Sequence, residues 1–151
     1  MKVAIVHDWL VNYGGAERVV EQMLKIYPDA DIYTLVYDEK KMSSHFPPTQ
    51  VHTSFIQKIP KATKLYTKLL QFMPRAFESF DFSSYDIVLA SSSSCAKGII
   101  TPPMVPYVAY IHSPMRYAWD LYFDYLKSSG KLTRFFMRRP ILWARGFLCR
   151  I

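Results

Sequence analysis

The amino-acid sequence predicts a doubly wound α/β domain, in which helices cover both faces of a mainly parallel sheet. Short apolar runs rich in β-branched residues alternate along the chain with segments of helical periodicity. Strands of this nearly continuous apolar type are typical of parallel sheets that are buried on both faces. The chain has 151 residues, of which 50% are hydrophobic, and this is enough to bury the core of one domain.

The beginning of the chain predicts a βαβ unit. Residues 3–7 form an apolar run that ends in a turn-prone loop, and we interpret this run as a buried strand. Residues 16–27 carry apolar side chains at the spacing of one helix face, and Pro28 ends this helix. Residues 31–36 predict a second strand, which a right-handed crossover makes parallel to the first.

The same alternation continues up to residue 126, which we take as the end of the predicted domain. The expected elements are, in order, a strand over 51–55, a helix over 61–72 ended by Pro74, a strand over 86–91, a strand over 106–112 and a helix over 116–126. The strand over 86–91 leads into a serine turn at 92–94, whose hydroxyls are suited to cap a following helix.

The net charge of +7 is concentrated near the C-terminus. Residues 125–151 contain seven of the 19 Lys and Arg residues and no Asp or Glu, so the first 124 residues hold 19 − 7 = 12 basic residues against 12 acidic ones. Such a neutral body is a poor match for a globally basic nucleic-acid binder, and we expect no nucleic-acid partner.

Residues 127–151 predict a separate basic and aromatic-rich helical segment. Its basic residues recur at helical spacing on one stripe, and such a helix can lie on an anionic membrane with its aromatic side chains in the headgroup layer. The residues expected to contact the membrane are Lys131, Arg134, Arg138, Trp143 and Arg145. Alternatively, the apolar side of this helix packs on the sheet and its arginines are solvated.

Cysteine usage and hydropathy favour a cytoplasmic protein. Cys95 and Cys149 are the only cysteines and lie far apart in the sequence, so we expect neither a zinc site nor a disulfide framework, and no metal. The first apolar run is too short for a secretory signal, and prolines interrupt the uncharged stretch 98–115. We therefore predict no transmembrane helix.

Three clusters follow predicted strands, where parallel sheets bind their ligands. One of them, Ser91 to Ser94 with Cys95, is typical of a helix cap, and it has no G-x-S-x-G motif that would favour a hydrolase nucleophile. Gly14 and Gly15 precede the first helix, so backbone N–H groups and the helix N-terminus favour a phosphate or sugar phosphate there; alternatively, the glycines only serve a tight turn. His112 can exchange a proton or hydrogen bond with a substrate hydroxyl, and Arg116 can pair with a phosphate or carboxylate. Alternatively, His112 is a hydrogen-bonded structural residue.

Three motifs, in this order, resemble the N-terminal lobe of family 4 glycosyltransferases, which are retaining enzymes of the two-lobed GT-B fold. The motifs are HDWL at 7–10 with YGGAERV at 13–19, then YDIVLAS at 85–91, and YIHSPMRYAWD at 110–120. The resemblance covers about residues 3–126. It implies a single Rossmann-like lobe and sugar transfer from a nucleotide sugar without a metal or any other cofactor.

The resemblance also implies roles for individual residues. His112 is the expected catalytic residue, in contact with the transferred sugar, while Gly14 and Gly15 approach the donor phosphates or the reacting sugar. Weaker matches assign acceptor contacts or loop shaping to Asp8, Glu17 and Arg116. The acceptor is expected to be a saccharide or a lipid-linked saccharide in surface-polysaccharide assembly, which places the protein in the cytoplasm and at the inner face of the cell membrane.

The chain departs from this family pattern in its length. A complete enzyme has a second, donor-binding lobe that carries paired glutamates, and we expect this lobe to be absent or on a second chain. The sequence therefore predicts a truncated product or one half of a two-chain enzyme that is inactive alone. The alternative from another class is a non-catalytic module that binds a membrane surface through the basic segment 127–151.

Overall fold

The computed structural model describes residues 1–113. Two sequence predictions lie outside these described residues, namely the helix over 116–126 and the basic segment 127–151. The predicted site residues that belong to these two parts of the chain are Arg116, Lys131, Arg134, Arg138, Trp143 and Arg145.

The described residues form an α/β structure around a parallel sheet of five strands, as the sequence predicts. The strands are β1 (Val3–His7), β2 (Asp31–Thr34), β3 (Val51–Thr53), β4 (Ile87–Ser92) and β5 (Tyr107–Ile111). Their spatial order is β3-β2-β1-β4-β5. β2 and β3 therefore lie on one side of β1, and β4 and β5 lie on the other side. The direction in which strands are added reverses between β1 and β4.

Four short α-helices connect these strands. They are α1 (Gly15–Ile26), α2 (Glu39–Met42), α3 (Ala62–Leu65) and α4 (Met73–Glu78), and 3₁₀ turns occupy Pro48–Gln50, Phe55–Lys58, Tyr66–Phe72 and Ala96–Gly98. Within residues 1–113, no helix is long and apolar enough to cross a membrane.

Both faces of the sheet carry a hydrophobic core. Successive side chains of a strand point to opposite faces, and the five residues of β1 are all buried. Ala4 and Val6 belong to one core cluster, which includes Phe77 of α4, whereas Ile5 belongs to the other, which includes Val20 of α1. This double burial explains why β1 and β4 are apolar without the alternation of a half-exposed strand.

The predicted continuous helix over 61–72 is wrong. Residues Ala62–Leu65 are α-helical, but Tyr66–Phe72 form a 3₁₀ segment with non-helical angles at Leu69 (φ −98°, ψ 21°). Pro74 does not end a helix, since it lies in the first turn of α4. A proline is tolerated at this position because the first N–H groups of a helix have no intrahelical partner.

Three strands are shorter than the sequence predicts, and one of them, β5, loses a single residue at each end. β2 ends at Thr34 because the next residues pair with the loop after β1: the Leu35 N–H donates to the Asp8 carbonyl at 3.3 Å, and the Leu10 N–H donates to the Val36 carbonyl at 2.9 Å. β3 ends at Thr53 because the Ser54 hydroxyl accepts the Ile56 N–H at 3.2 Å and so caps a 3₁₀ turn.

Candidate functional site

The candidate site lies at the carboxyl ends of β1, β4 and β5. Three chain segments meet there, namely residues 7–17, residues 91–96 and His112. Ligands of open parallel sheets bind at this edge, in the crevice where the strand order reverses. In this sheet the reversal falls between β1 and β4.

Asp8 ties the loop after β1 to the loop after β4. Its carboxylate is 1% exposed and accepts four backbone N–H groups of consecutive residues. The donor–acceptor distances are 2.6 Å from Ser93, 2.8 Å from Ser94, 2.9 Å from Cys95 and 2.8 Å from Ala96. A carboxylate held in this way has little capacity left for a ligand, so the geometry gives Asp8 the loop-shaping role rather than an acceptor contact.

Glu17 connects the diglycine loop to β1. One oxygen of its carboxylate accepts the Gly14 N–H at 2.9 Å, and the other lies 3.5 Å from His7 Nε2. Burial works to raise the pKa of Glu17, but hydrogen bonds from His7 and the backbone outweigh it and hold this pKa below its ordinary value. A charged Glu17 therefore shapes the start of α1 and forms an ion pair with His7 when that imidazole is protonated.

Ser91 links His7 to His112. The His7 Nδ1–H donates to the Ser91 carbonyl at 2.8 Å, and the Ser91 hydroxyl lies 2.8 Å from His112 Nε2. The ring of His112 is therefore fixed through Nε2, which leaves Nδ1 for other partners. Partial burial and the neighbouring His7 lower the pKa of His112, so its imidazole is neutral at neutral pH and exchanges hydrogen bonds as an uncharged group.

Gly15 has no evident structural need to be a glycine. Among residues 1–113 no glycine has a positive φ, and a Cβ added at Gly15 would meet no atom within 4 Å. At Gly14 the same Cβ would lie 3.2 Å from the Glu17 carboxylate, which is a tight contact. The first N–H groups of α1 lack intrahelical partners, so the open space at Gly15 is a place where an anion can approach the backbone.

An aromatic pair lies at the carboxyl end of β1. Trp9 follows β1 directly, and its ring lies 5.0 Å from the ring of Tyr66. Both side chains are partly buried against the core. Burial and the nearby negative charge of Glu17 raise the pKa of Tyr66, so Tyr66 stays an uncharged phenol beside the charged loop.

The serine turn does not carry a reactive thiol. Cys95 is buried, and burial raises the pKa of its thiol to about 12, so the thiolate that reacts as a nucleophile is scarce at neutral pH. The turn was expected to cap a helix with its hydroxyls. Instead, its backbone N–H groups surround Asp8 and lead into the 3₁₀ turn Ala96–Gly98.

The structure brings together five of the predicted site residues and adds others that sequence reasoning missed. Asp8, Gly14, Gly15, Glu17 and His112 all lie at the same edge of the sheet. Ser91 could be singled out from the sequence only as part of a serine turn, and His7 and Tyr66 were not predicted as site residues. A polar residue that closes a buried apolar run, such as His7 or Ser91, is the signal that points to two of them.

Within residues 1–113, no group of three or more His, Cys, Asp or Glu side chains is arranged to hold a metal ion. Comparisons with protein-family models, curated protein sequences and solved structures find no match to this chain. The fold and the site described above therefore define the chain as an α/β protein with a polar, glycine-containing site at the carboxyl edge of a parallel sheet.

Proposed function

We propose that this chain is the N-terminal, acceptor-binding lobe of a retaining family 4 glycosyltransferase. The reaction is the transfer of a sugar from a nucleotide sugar to a saccharide or lipid-linked acceptor at the inner face of the cell membrane. The strand order β3-β2-β1-β4-β5 supports a Rossmann-like, doubly wound lobe, because this order is typical of folds that bind nucleotides at the reversal point.

The observation that carries the proposal is the open space at Gly15, at the same edge of the sheet as His112. Neither a positive φ nor a close neighbour requires a glycine at position 15. A ligand that contacts the backbone at this position explains why a glycine is present. A phosphate of the donor fits here because the N-terminus of α1 offers N–H groups and a partial positive charge.

His112 has the role of a neutral hydrogen-bonding partner for the transferred sugar. Ser91 occupies its Nε2 at 2.8 Å, so Nδ1 is the atom that meets a sugar hydroxyl. Glu17 lies 3.5 Å from His7 at this edge, and His7 bonds to the Ser91 carbonyl. Neither side chain fills the space beside Gly15, which is available to the donor. A second lobe would supply most of the contacts to the donor.

Titration of the full chain with a panel of nucleoside-diphosphate sugars, followed by ligand-observed NMR, tests the proposal. The open space at Gly15 accepts a methyl group, so Gly15→Ala should fold normally and raise the free energy of unfolding by roughly 0.4–1 kcal/mol. The same methyl group should weaken binding by about tenfold or more, that is by about 1.4 kcal/mol or more.

Gly15→Asp should abolish binding, because its carboxylate would repel the phosphates while an acidic residue suits a helix N-terminus. His112→Ala is the second control and should weaken the binding of the sugar more than that of the free nucleotide. Unchanged affinity in Gly15→Ala would contradict the proposed role of the diglycine loop, and absence of any saturable binding to the wild-type chain would argue against the proposal as a whole.

A further inference from the structure

We propose that Ser91 is a positioning residue, which holds His112 in the tautomer that donates a hydrogen bond through Nδ1. Ser91 lies near the end of β4, and His112 directly follows the neighbouring strand β5. The Ser91 hydroxyl lies 2.8 Å from His112 Nε2. The tautomer itself does not depend on any ligand, and only the identity of the group that meets Nδ1–H rests on the proposed function.

The Ser91 hydroxyl can meet His112 in two ways. In the first arrangement its O–H donates to an unprotonated Nε2, so the ring proton lies on Nδ1. In the second arrangement Nε2–H donates to the hydroxyl oxygen, and the Ser91 O–H must find another acceptor. Ser91 is fully buried, and within residues 1–113 its hydroxyl has no hydrogen-bond partner other than His112 Nε2.

The burial of Ser91 favours the first arrangement. A buried O–H group without an acceptor loses the hydrogen bond that it makes to water in the unfolded chain. This loss is large enough to favour the other tautomer by roughly tenfold or more. In the first arrangement the Ser91 O–H has its acceptor, and the ring proton lies on His112, whose side chain is only partly buried.

The charge state of His112 agrees with this assignment. Partial burial and the neighbouring His7 lower the pKa of His112, and both therefore favour a neutral ring. A protonated ring carries hydrogens on both nitrogens and could not accept the Ser91 O–H. His7 contacts the same serine in the opposite sense, because its Nδ1–H donates to the Ser91 carbonyl at 2.8 Å.

The Nδ1–H tautomer limits what His112 can do in the site. An N–H group donates to an atom with a lone pair, such as a hydroxyl, ring or phosphate oxygen of a nucleotide sugar, and it cannot take a proton from that atom. If the proposed function is correct, His112 is therefore a hydrogen-bond donor to the ligand and not a general base. Ser91 acts through His112 and does not itself contact the ligand.

Nitrogen-15 NMR of the histidine rings in the full chain, without ligand, measures the tautomer directly. At about pH 8 a histidine with a lowered pKa is neutral, and we expect His112 to be protonated on Nδ1 and unprotonated on Nε2. Comparison with His112→Asn assigns its signals among the four histidines. Wild-type His112 protonated on Nε2 would overturn the proposal, and this measurement needs no Ser91 variant to fold.

Two serine variants test whether Ser91 sets the tautomer. Ser91→Ala removes the hydrogen bond at Nε2 and should raise the fraction of His112 that is protonated on Nε2, which is the form that an unconstrained neutral imidazole prefers in water. Ser92→Ala is the matched control, because it removes another fully buried hydroxyl of β4 and should leave the tautomer ratio unchanged. An unchanged ratio in Ser91→Ala, or an equal shift in both variants, would overturn the proposal.

Titration of the same variants with the panel of nucleoside-diphosphate sugars separates this inference from the proposed function. If about one fifth to one half of Ser91→Ala molecules keep the Nδ1–H form, this variant should bind the sugar nucleotide about two- to fivefold more weakly than the wild type. Its affinity for uridine diphosphate alone should not change. The Nδ1–H tautomer without saturable binding would support the role of Ser91 and contradict the proposed function, whereas a shifted tautomer with unchanged sugar affinity would overturn the donor role of His112.

Discussion

Replacement of Asp8 by Asn is expected to destabilise the protein strongly although the two side chains have nearly the same shape. Each oxygen of the Asp8 carboxylate accepts two backbone N–H groups: Oδ2 accepts those of Ser93 and Ser94, and Oδ1 accepts those of Cys95 and Ala96. Asparagine keeps one acceptor oxygen, and its NH₂ group takes the place of the other. In either orientation of the amide, the NH₂ group then faces two backbone N–H groups, which are left without an acceptor.

The magnitude follows from the two orphaned donors. A buried N–H group without a partner costs about 1–3 kcal/mol, so Asp8→Asn should lower the free energy of unfolding by about 2–6 kcal/mol. This is a large share of the total stability of a typical domain, which is about 5–15 kcal/mol. Asp8→Ala leaves all four N–H groups without an acceptor and should cost more.

Urea denaturation of the full chain, followed by circular dichroism, measures this loss. Asp29→Asn is the matched control, since Asp29 is exposed and a substitution there should stay within about 0.5 kcal/mol of the wild type. A stability of Asp8→Asn within about 1 kcal/mol of the wild type would refute the structural role. Loss of acceptor binding without loss of stability would instead support a direct acceptor contact for Asp8.

Two more predictions concern Lys61 and His112. Lys61 has left-handed backbone angles (φ 59°, ψ 31°). Lys61→Gly should therefore raise the free energy of unfolding by about 0.5–1 kcal/mol, because the relief of this strain exceeds the entropy cost of glycine; a destabilised variant in urea denaturation would contradict this. The pKa of His112 lies below its ordinary value, so the unfolded chain takes up a proton before the folded chain does. His112 therefore contributes stability above about pH 6.5 that is lost as the pH falls through its folded-state pKa. Urea midpoints measured between about pH 7.5 and 5 should fall more steeply with decreasing pH for the wild type than for His112→Asn. An equal pH dependence of the two midpoints would count against a lowered pKa of His112.

The sequence predicts the centre of the sheet well and the segment before β4 poorly. β1 and β4 are short, continuous apolar runs, and their bounds lie within one residue of those predicted. Residues 61–78 differ because α and 3₁₀ turns share much of their apolar spacing, and Pro74 is compatible with either the end or the start of a helix. The choice depends on the burial of Met73 and Phe77 in the core, which is a tertiary effect.

The candidate site could likewise be predicted from the sequence only in part. Strand ends can be predicted from local pattern, so Gly15 and His112 could be placed at one edge of the sheet. Their supporting contacts could not, because the bond from His7 to the Ser91 carbonyl joins residues 84 positions apart. A charge count can also conceal local features: it balances to zero over the first 124 residues, although residues 55–75 hold five basic residues and no acidic one.

The pairing of β1 with β4 has a consequence for how the protein is made. β1 lies at the centre of the sheet, yet one of its two neighbours begins only at Ile87. Translation at about 5–20 residues per second leaves β1 without this neighbour for roughly 4–17 s. During this interval the unpaired backbone edge of β1 is available to other chains, and the Asp8 carboxylate has yet to meet its N–H donors. Slower synthesis of residues 8–86 should therefore increase the demand for chaperones before any change in the finished protein is detectable.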